Sequence, residues 1–276
     1  MSIKYAYLGP AGTFTEAALQ KIATPSDQLI AYANVTAALD AVRNGECEKA
    51  LVPIENSVEG VVARTLDELA IGQPLVITAE TTLPVTFSLM TLSDKNPAEI
   101  KSIATHPHAE SQCRSFIAKN YPNAQVIESS STAAAAKGLS KGDYDAAIAG
   151  SNAAKNYGLK VIAENIGDNS SAITRFVLVE KPGNQPKATG KDRTSLAVFI
   201  ALDHAGALLE ILNEFAKHQV NLTFIQSRPT GSQLGHYHFI IDAEGHIEDK
   251  PISAALAGLK EICEDVRFLG SYPQAK

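Results

Sequence analysis

Residues 165–179 read Asn-Ile-Gly-Asp-Asn-Ser-Ser-Ala-Ile-Thr-Arg-Phe-Val-Leu-Val. A polar, glycine-containing loop runs into Phe176 to Val179, an aromatic and β-branched run that predicts a strand. At the junction a hydroxyl, Thr174, and a guanidinium, Arg175, stand side by side. Neighbouring side chains of an extended chain point to opposite faces, so Thr174 and Phe176 share one face and Arg175 takes the other. Strand ends and the loops that meet them are where α/β proteins place their chemistry. An ordinary loop-to-strand junction has the same composition, and the surrounding chain decides between the two readings.

Working outward, strands and helices alternate on the N-terminal side. Strands are predicted at Tyr5–Leu8, Ala50–Ile54, Leu75–Ala79, Leu83–Thr91, Ser102–Ala104, Val126–Ile127, Tyr144–Ala149 and Leu159–Ala163. Between them helices are predicted at Glu16–Ile22, Thr36–Arg43, Val61–Ala70, Ala109–Asn120, Thr132–Leu139 and Ala153–Tyr157. Pro84 favours an edge position or a crossing between lobes. The alternation implies α/β layers. It falls into two sets, lobe one at about residues 1–80 and 161–182 and lobe two at about 81–160, around a cleft suited to a small ligand.

On the C-terminal side, residues 183–192 lie in a Pro/Gly/Lys-rich linker. A compact unit at 193–276 follows: strand Thr194–Leu202, helix Gly206–Gln219, strand Asn221–Arg228, a hairpin turn at Pro229–Gly235, strand His236–Asp242, helix Ile252–Cys263 and strand Val266–Leu269. Leu208, Leu209, Ile211, Leu212 and Phe215 make a helical stripe, and Ile252, Leu256, Leu259 and Cys263 a second. The order βαββαβ is the ferredoxin-like signature.

The totals narrow the function classes. A chain of 276 residues, 45% hydrophobic and 20% charged, is long enough for two domains with substantial cores. A net charge of −6 without a Lys/Arg cluster argues against nucleic acid or an anionic membrane as partner. Cys47, Cys113 and Cys263 are odd in number and far apart, so neither a disulfide framework nor zinc spacing follows, and a cytoplasmic location is expected. The N-terminus reads as a first strand rather than a signal peptide, and no apolar run approaches the roughly 20 residues of a membrane span.

Several polar clusters are candidates for chemistry. Gly9-Pro10-Ala11-Gly12-Thr13-Phe14-Thr15 between strand and helix offers backbone N–H groups and a helix N-terminus to an anion, a carboxylate rather than a nucleotide. It lacks the Gly-Lys-Ser/Thr of a P-loop and the Gly-x-Gly-x-x-Gly of a dinucleotide site, and it also reads as a plain capped turn. Glu55-Asn56-Ser57 at a strand end suits a polar site, and helix capping by Asn56 or Ser57 accounts for it equally well. His106 and His108 have no third ligand near them, and the same holds for His236 and His238 on one strand face, so no metal is expected. Cys113 falls on an apolar helix face and reads as a packed thiol.

Taken together, four pieces carry a resemblance: Gly9-Pro10-x-Gly12-Thr13-Phe14, Pro53-Ile54-Glu55-Asn56-Ser57, Thr105-His106-Pro107 through Gln112-Cys113, and Thr174-Arg175-Phe176. The chain resembles the prephenate dehydratase family over nearly its whole length, and its βαββαβ unit resembles an ACT regulatory domain. Within that unit, Gly206-Ala207-Leu208-Leu209 and Gln226-Ser227-Arg228-Pro229 are similar to the family's phenylalanine-binding motifs. Three positions depart from the common pattern: Thr105 stands where Ser is frequent, Gln226 where Glu is, and Ala205 where Pro is. The resemblance implies a two-lobed catalytic domain (1–182), similar to periplasmic binding proteins, and a homo-oligomer joined partly through ACT domains. It implies catalytic positions at Thr174, Glu55, Asn56, Gln112 and Thr105, with Arg175, Phe176, Gly12, Thr13 and Ser57 around the substrate.

The implied reaction converts prephenate to phenylpyruvate, water and carbon dioxide in phenylalanine biosynthesis, under feedback control by phenylalanine. Aromatisation drives it, so neither redox cofactor nor metal is required. An alkyl hydroxyl is a weak acid, so Thr174 is expected to act as an oriented hydrogen-bond donor to the leaving oxygen. Arg175 and backbone donors near Gly12 and Thr13 are expected to grip carboxylates. Phe176 reads either as an apolar wall or as core. An arogenate dehydratase shares these features, and a non-catalytic ligand-responsive protein shares the two lobes and the sensor domain.

Overall fold

The computed structural model describes residues 2–93, 96–200, 204–231 and 237–275. The elements begin with β1 (Lys4–Leu8), α1 (Phe14–Leu19), β2 (Gln28–Tyr32), α2 (Val35–Arg43), β3 (Lys49–Asn56), β4 (Gly60–Val61), α3 (Ala63–Ile71) and β5 (Val76–Pro84). Next come β6 (Ser88–Thr91), a 3-10 turn at Pro97–Glu99, β7 (Ser102–Thr105), α4 (Pro107–Gln112), α5 (Arg114–Asn120), β8 (Gln125–Glu128), α6 (Thr132–Leu139), β9 (Ala146–Ala149), α7 (Ser151–Tyr157), β10 (Lys160–Ala163) and β11 (Ile173–Glu180). The chain ends with β12 (Asp192–Ile200), α8 (Ala207–Lys217), β13 (Leu222–Pro229), β14 (Tyr237–Glu244), α9 (Lys250–Ile262) and β15 (Cys263–Pro273).

Among the described residues the strands form three sheets. The first has the order β2-β1-β3-β11-β5 with β4 attached to β3, the second β10-β6-β9-β7-β8, and the third β13-β14-β12-β15. Pro84 closes β5, the terminal strand of the first sheet, where a missing N–H costs no ladder bond. The second sheet is mixed: β7 runs parallel to β8 and β9, while β6 is antiparallel to β9 and β10. Alternation along its strands fills two cores, one from Leu89, Ile103, Ala146 and Ile148 and the other from Met90, Ala104, Ala147 and Ala149. Each large apolar side chain so buried contributes about 1.5–3 kcal/mol. The third sheet is antiparallel, and α8 and α9 cover one of its faces through Ile211, Phe215, Ile252, Leu256 and Leu259. This is the expected βαββαβ arrangement. By contact density the chain divides into two compact units, Met1–Ala38 with Leu51–Val61 and Thr82–Phe176, and Leu39–Ala50 with Val62–Thr81 and Val177–Lys276.

Three sequence expectations need correction. The helix expected at 109–120 breaks at Cys113, whose backbone (φ −119°, ψ 13°) leaves the helical region. The break frees the Gln112 carbonyl to accept from the Asp168 N–H at 2.6 Å and lets Cys113 drop into the core. In α8 only part of the predicted stripe faces inward: Leu208 and Leu209 are exposed, the latter by 60%. Cys263 opens β15 rather than closing α9. The 229–235 turn and the start of the strand expected at His236 lie largely outside the described residues, as does the end of the one expected to reach Leu202.

Candidate active site

β11 begins at Ile173, so Thr174 and Arg175 lie inside a strand rather than in a loop leading to one. The side-chain pairs run in opposite sense: Ser57 Oγ accepts from the Ile173 N–H (3.0 Å), Asn56 meets Thr174, and Glu55 meets Arg175. Such a ladder is that of antiparallel partners, and successive pairs face opposite sides.

On one side, the Asn56 carboxamide has no freedom of orientation. Its Oδ1 accepts from the Val58 N–H (2.8 Å) and the Glu59 N–H (3.0 Å). Its Nδ2 must therefore donate, and it does so to Thr174 Oγ1 at 2.8 Å. Thr174 is only 8% exposed, and among the described residues nothing accepts its hydroxyl proton. The helix-capping reading of Asn56 and Ser57 does not hold: α3 starts from Val62 without a side-chain cap, and both residues spend their oxygens on the turn and on β11.

On the other side, Arg175 Nε donates to Glu55 Oε2 at 3.0 Å, with Nη2 also 3.0 Å from that oxygen. Arg175 is 7% exposed, and Glu55 answers its charge. As strand alternation predicted, Arg175 faces away from Thr174, and the carboxylate it meets in this structure is that of Glu55.

Gln112, at the C-terminal end of α4, donates from Nε2 to Glu59 Oε1 at 2.9 Å. Glu59 Oε2 lies 3.5 Å from His108 Nδ1. The Gln112 Oε1 is buried and has no partner among the described residues. Glu59 is the residue that sequence reasoning missed. It sits in the polar loop already singled out, but its partners are 49 and 53 positions away and no local spacing points to them. His106 caps α4, its Nδ1 accepting from the His108 N–H, and burial followed by neighbouring His108 pushes its pKa down. Thr105 is not placed for catalysis through its proton, because it donates to the Ile148 carbonyl at 2.8 Å within its own sheet.

The Gly-rich turn is also self-satisfied. Glu16, buried on α1, accepts from the Gly12 N–H (2.6 Å), from Asn156 Nδ2 (2.7 Å) and from the Tyr7 hydroxyl (3.2 Å). Burial first, and the Glu16 carboxylate second, hold the Tyr7 phenol protonated far beyond the ordinary range. Thr13 donates to the Leu8 carbonyl and accepts from the Glu16 N–H. From α7, Asn152 Nδ2 reaches the Thr13 carbonyl (2.9 Å) and the Tyr157 hydroxyl the Ala11 carbonyl (2.7 Å). Gly12 adopts φ +89°, and a Cβ there would stand 3.1 Å from Ala153 Cα, so the position needs glycine. The anion-site expectation for Gly12 and Thr13 is corrected: the carboxylate that the Gly12 N–H receives is Glu16, and both hydrogen-bonding roles of the Thr13 hydroxyl are taken.

Phe176, 1% exposed, is core and offers no wall to a ligand. Burial pushes the Cys113 thiol up to about 12, as befits a packed and unreactive group. No group of three or more metal-ligating side chains exists among the described residues, and His236 lies outside them. In the C-terminal unit Gly206 (φ +98°) turns the chain into α8, and Gln226 Nε2 donates to the Ser227 carbonyl. Arg228 holds Asp67 in a fork, Nε to Oδ1 at 2.8 Å and Nη2 to Oδ2 at 2.7 Å. Beside it His238 is fully buried, stacked on Phe199 at 5.0 Å, with neither ring nitrogen partnered among the described residues. Among the described residues no helix is long and apolar enough to cross a membrane.

Comparison with known proteins bears on this arrangement. The family model for prephenate dehydratase matches residues 5–184, and that for the ACT domain matches 194–261. A prephenate dehydratase of Amycolatopsis methanolica is 46% identical over 99% of this chain and 89% of its own length. The crystal structure of prephenate dehydratase from Arthrobacter aurescens in complex with L-Phe is 49% identical, with a TM-score of 0.92 over 98% of this chain and 90% of that one. A structure described as a novel type of quorum quenching acylase is 27% identical, with a TM-score of 0.86 over 98% of both chains. With a catalytic-domain match over most of the chain and full-length relatives near half identity, this chain belongs to the prephenate dehydratase family of hydro-lyases and carries the ACT domain at its C-terminal end.

Proposed function

We propose that the chain converts prephenate to phenylpyruvate, water and carbon dioxide, with the Thr174 hydroxyl donating to the departing ring oxygen. The observation that carries this reading is the locked Asn56 amide. Because Asn56 can only donate to Thr174, the Thr174 oxygen is an acceptor there and its single proton is left to point elsewhere. In the reaction the ring C–O bond and the bond to the ring carboxylate break. The electron pair of the latter becomes the third ring π bond, and the hydroxyl leaves as water with one proton drawn ultimately from solvent. Thr174 steadies the charge growing on that oxygen without keeping it, a task worth about 10²–10³ in rate for one well-placed donor. Nothing in these steps calls for redox chemistry or a Lewis acid.

Glu55 and Arg175 fit a supporting role, compensating each other across the strand pair that presents Asn56 and Thr174. Thr105 and the Gly12–Thr13 turn shape the surroundings, with Ser57 pinning β11 in register. Residues 1–182 form the catalytic domain in this reading, 183–192 the linker and 193–276 the ACT domain. Phenylalanine is the effector, taken up at Gly206–Leu209 and Gln226–Pro229. In support, Leu208 and Leu209 stand exposed at the start of α8, and Gly206 supplies the backbone freedom for the turn. β13 is a terminal strand of its sheet with Ile225 exposed, an edge suited to pairing with a second copy, so a homo-oligomer working in the cytoplasm completes the reading.

Purified protein incubated with prephenate is expected to form phenylpyruvate, at a rate that phenylalanine changes. Arogenate in a parallel reaction separates the two dehydratase activities. Binding of prephenate without product would replace this reading with that of a ligand-responsive protein.

A further inference from the structure

We infer that Glu59 is a positioning residue that fixes the Gln112 amide so that its carbonyl oxygen accepts from the substrate hydroxyl. The inference rests on the prephenate reading above and adds to it the residue that orients the acceptor. A carboxylate only accepts, so the Gln112 end facing Glu59 Oε1 at 2.9 Å has to be the NH2 group. The carbonyl oxygen Oε1 is then the end turned from Glu59, and it is buried without a donor among the described residues. Gln112 is 8% exposed, and its Oε1 atom is shielded from bulk solvent. An acceptor shielded in this way awaits a donor from a ligand. Prephenate has a single one, its ring hydroxyl; its carboxylates and keto oxygen only accept. The substrate's lone O–H and the lone orphan acceptor of Gln112 thus match. In this inference the same oxygen receives the Thr174 proton while its own proton is held by Gln112.

Glu59 is itself held from two directions. Its backbone N–H is bound by Asn56 Oδ1 at 3.0 Å, and its Oε2 lies 3.5 Å from His108 Nδ1. Asn56 therefore orients Thr174 through one end of its amide and the turn that carries Glu59 through the other. Donor and acceptor for the leaving hydroxyl are referred to one side chain.

The test is a double-mutant cycle on full-length protein, reading kcat and KM for prephenate beside the melting temperature. Glu59→Ala is expected to lower kcat about 10- to 100-fold, the scale of a misplaced reacting group, with KM moved far less. Glu59→Gln keeps an acceptor for Gln112 Nε2 and is expected to restore kcat to within about threefold of the parent protein. In a Gln112→Ala background Glu59→Ala is expected to cost nothing further, since a residue acting through Gln112 has no purchase without it. Full additivity of the two losses would overturn the inference. So would unchanged kcat in Glu59→Ala, or a loss that Glu59→Gln leaves in place. If the parent protein forms no phenylpyruvate, the function reading itself falls; normal turnover in the parent with an indifferent Glu59→Ala removes Glu59 alone.

Discussion

Replacing Asn56 by aspartate swaps one NH2 for one oxygen and leaves the shape of the side chain unchanged. The introduced carboxylate still accepts from the Val58 and Glu59 N–H groups, which the asparagine holds at 2.8 and 3.0 Å, so the turn is kept. The contact to Thr174 changes polarity. In the parent protein Nδ2 donates to Oγ1 across 2.8 Å. A carboxylate oxygen has nothing to donate, and the contact survives only if Thr174 gives its own proton to it. That proton is then unavailable to the departing oxygen. Loss of one positioned donor corresponds to about 10²–10³ in kcat, or roughly 3–4 kcal/mol of transition-state stabilisation. The new negative charge next to a dianionic substrate adds to the loss and raises KM as well. Stability changes little, because every backbone donor keeps its acceptor. Phenylpyruvate formation is followed by absorbance at saturating prephenate, with the melting temperature measured on the same preparations. Thr174→Ser, which retains the hydroxyl, serves as the control. Asn56→Asp protein that keeps more than a tenth of the parent kcat would show that the direction of this hydrogen bond is irrelevant to the reaction.

Thr174→Ala removes the donor outright and is expected to lower kcat by about 10²–10³ with a small change in KM; near-normal turnover takes Thr174 out of the mechanism. Gly12→Val, placing a β-branched residue at φ +89° with its Cβ 3.1 Å from Ala153, is expected to cost more than about 1 kcal/mol of stability, read from denaturant unfolding. Burial depresses the pKa of both His238 and His106. Each group therefore binds a proton more readily in the unfolded chain. The stability each lends is complete above the ordinary value of 6.5 and is lost as the pH falls below it, with a slope of at most about 1.4 kcal/mol per pH unit per group. His238→Leu should flatten that acid limb in melting temperatures taken between pH 7 and 5, and an unchanged limb would exclude His238 as a source. Phenylalanine titrated to saturation should change turnover and raise the melting temperature; indifference of both counts against the effector reading.

How far the amino-acid order discloses the site depends on how local each interaction is. Thr174 and the Glu55-Asn56-Ser57 run stood out because their polarity interrupts strands, and alternation alone separated Arg175 from Thr174. The start of β11 was hidden because the polar loop of Asn169, Ser170 and Ser171 leads straight into it and masks Ile173; Ile173 is held in the strand by Ser57, 116 residues earlier. Glu59 was invisible for the same reason, its partner Gln112 being 53 residues away. The anion-site reading of the Gly-rich turn was undone by Glu16, which lay in plain view four residues from Gly12 but reads as an ordinary helix residue until Tyr7 and Asn156 are seen around it. In α8 helical spacing grouped Leu208 and Leu209 with Ile211 and Phe215, although an apolar pattern cannot tell a face that packs from one that awaits a ligand or a second subunit.

The grip of α7 on the first turn bears on the order in which the protein is made. Ala11, Thr13 and Glu16 are synthesised early, yet their carbonyls and carboxylate are answered by Asn152, Asn156 and Tyr157, 139 to 146 residues later. A ribosome that has delivered only the first half of the polypeptide holds a segment whose polar atoms still face water. These three contacts reach the first turn only after β9 and α7 have emerged, so they are late additions to a turn whose other bonds are local.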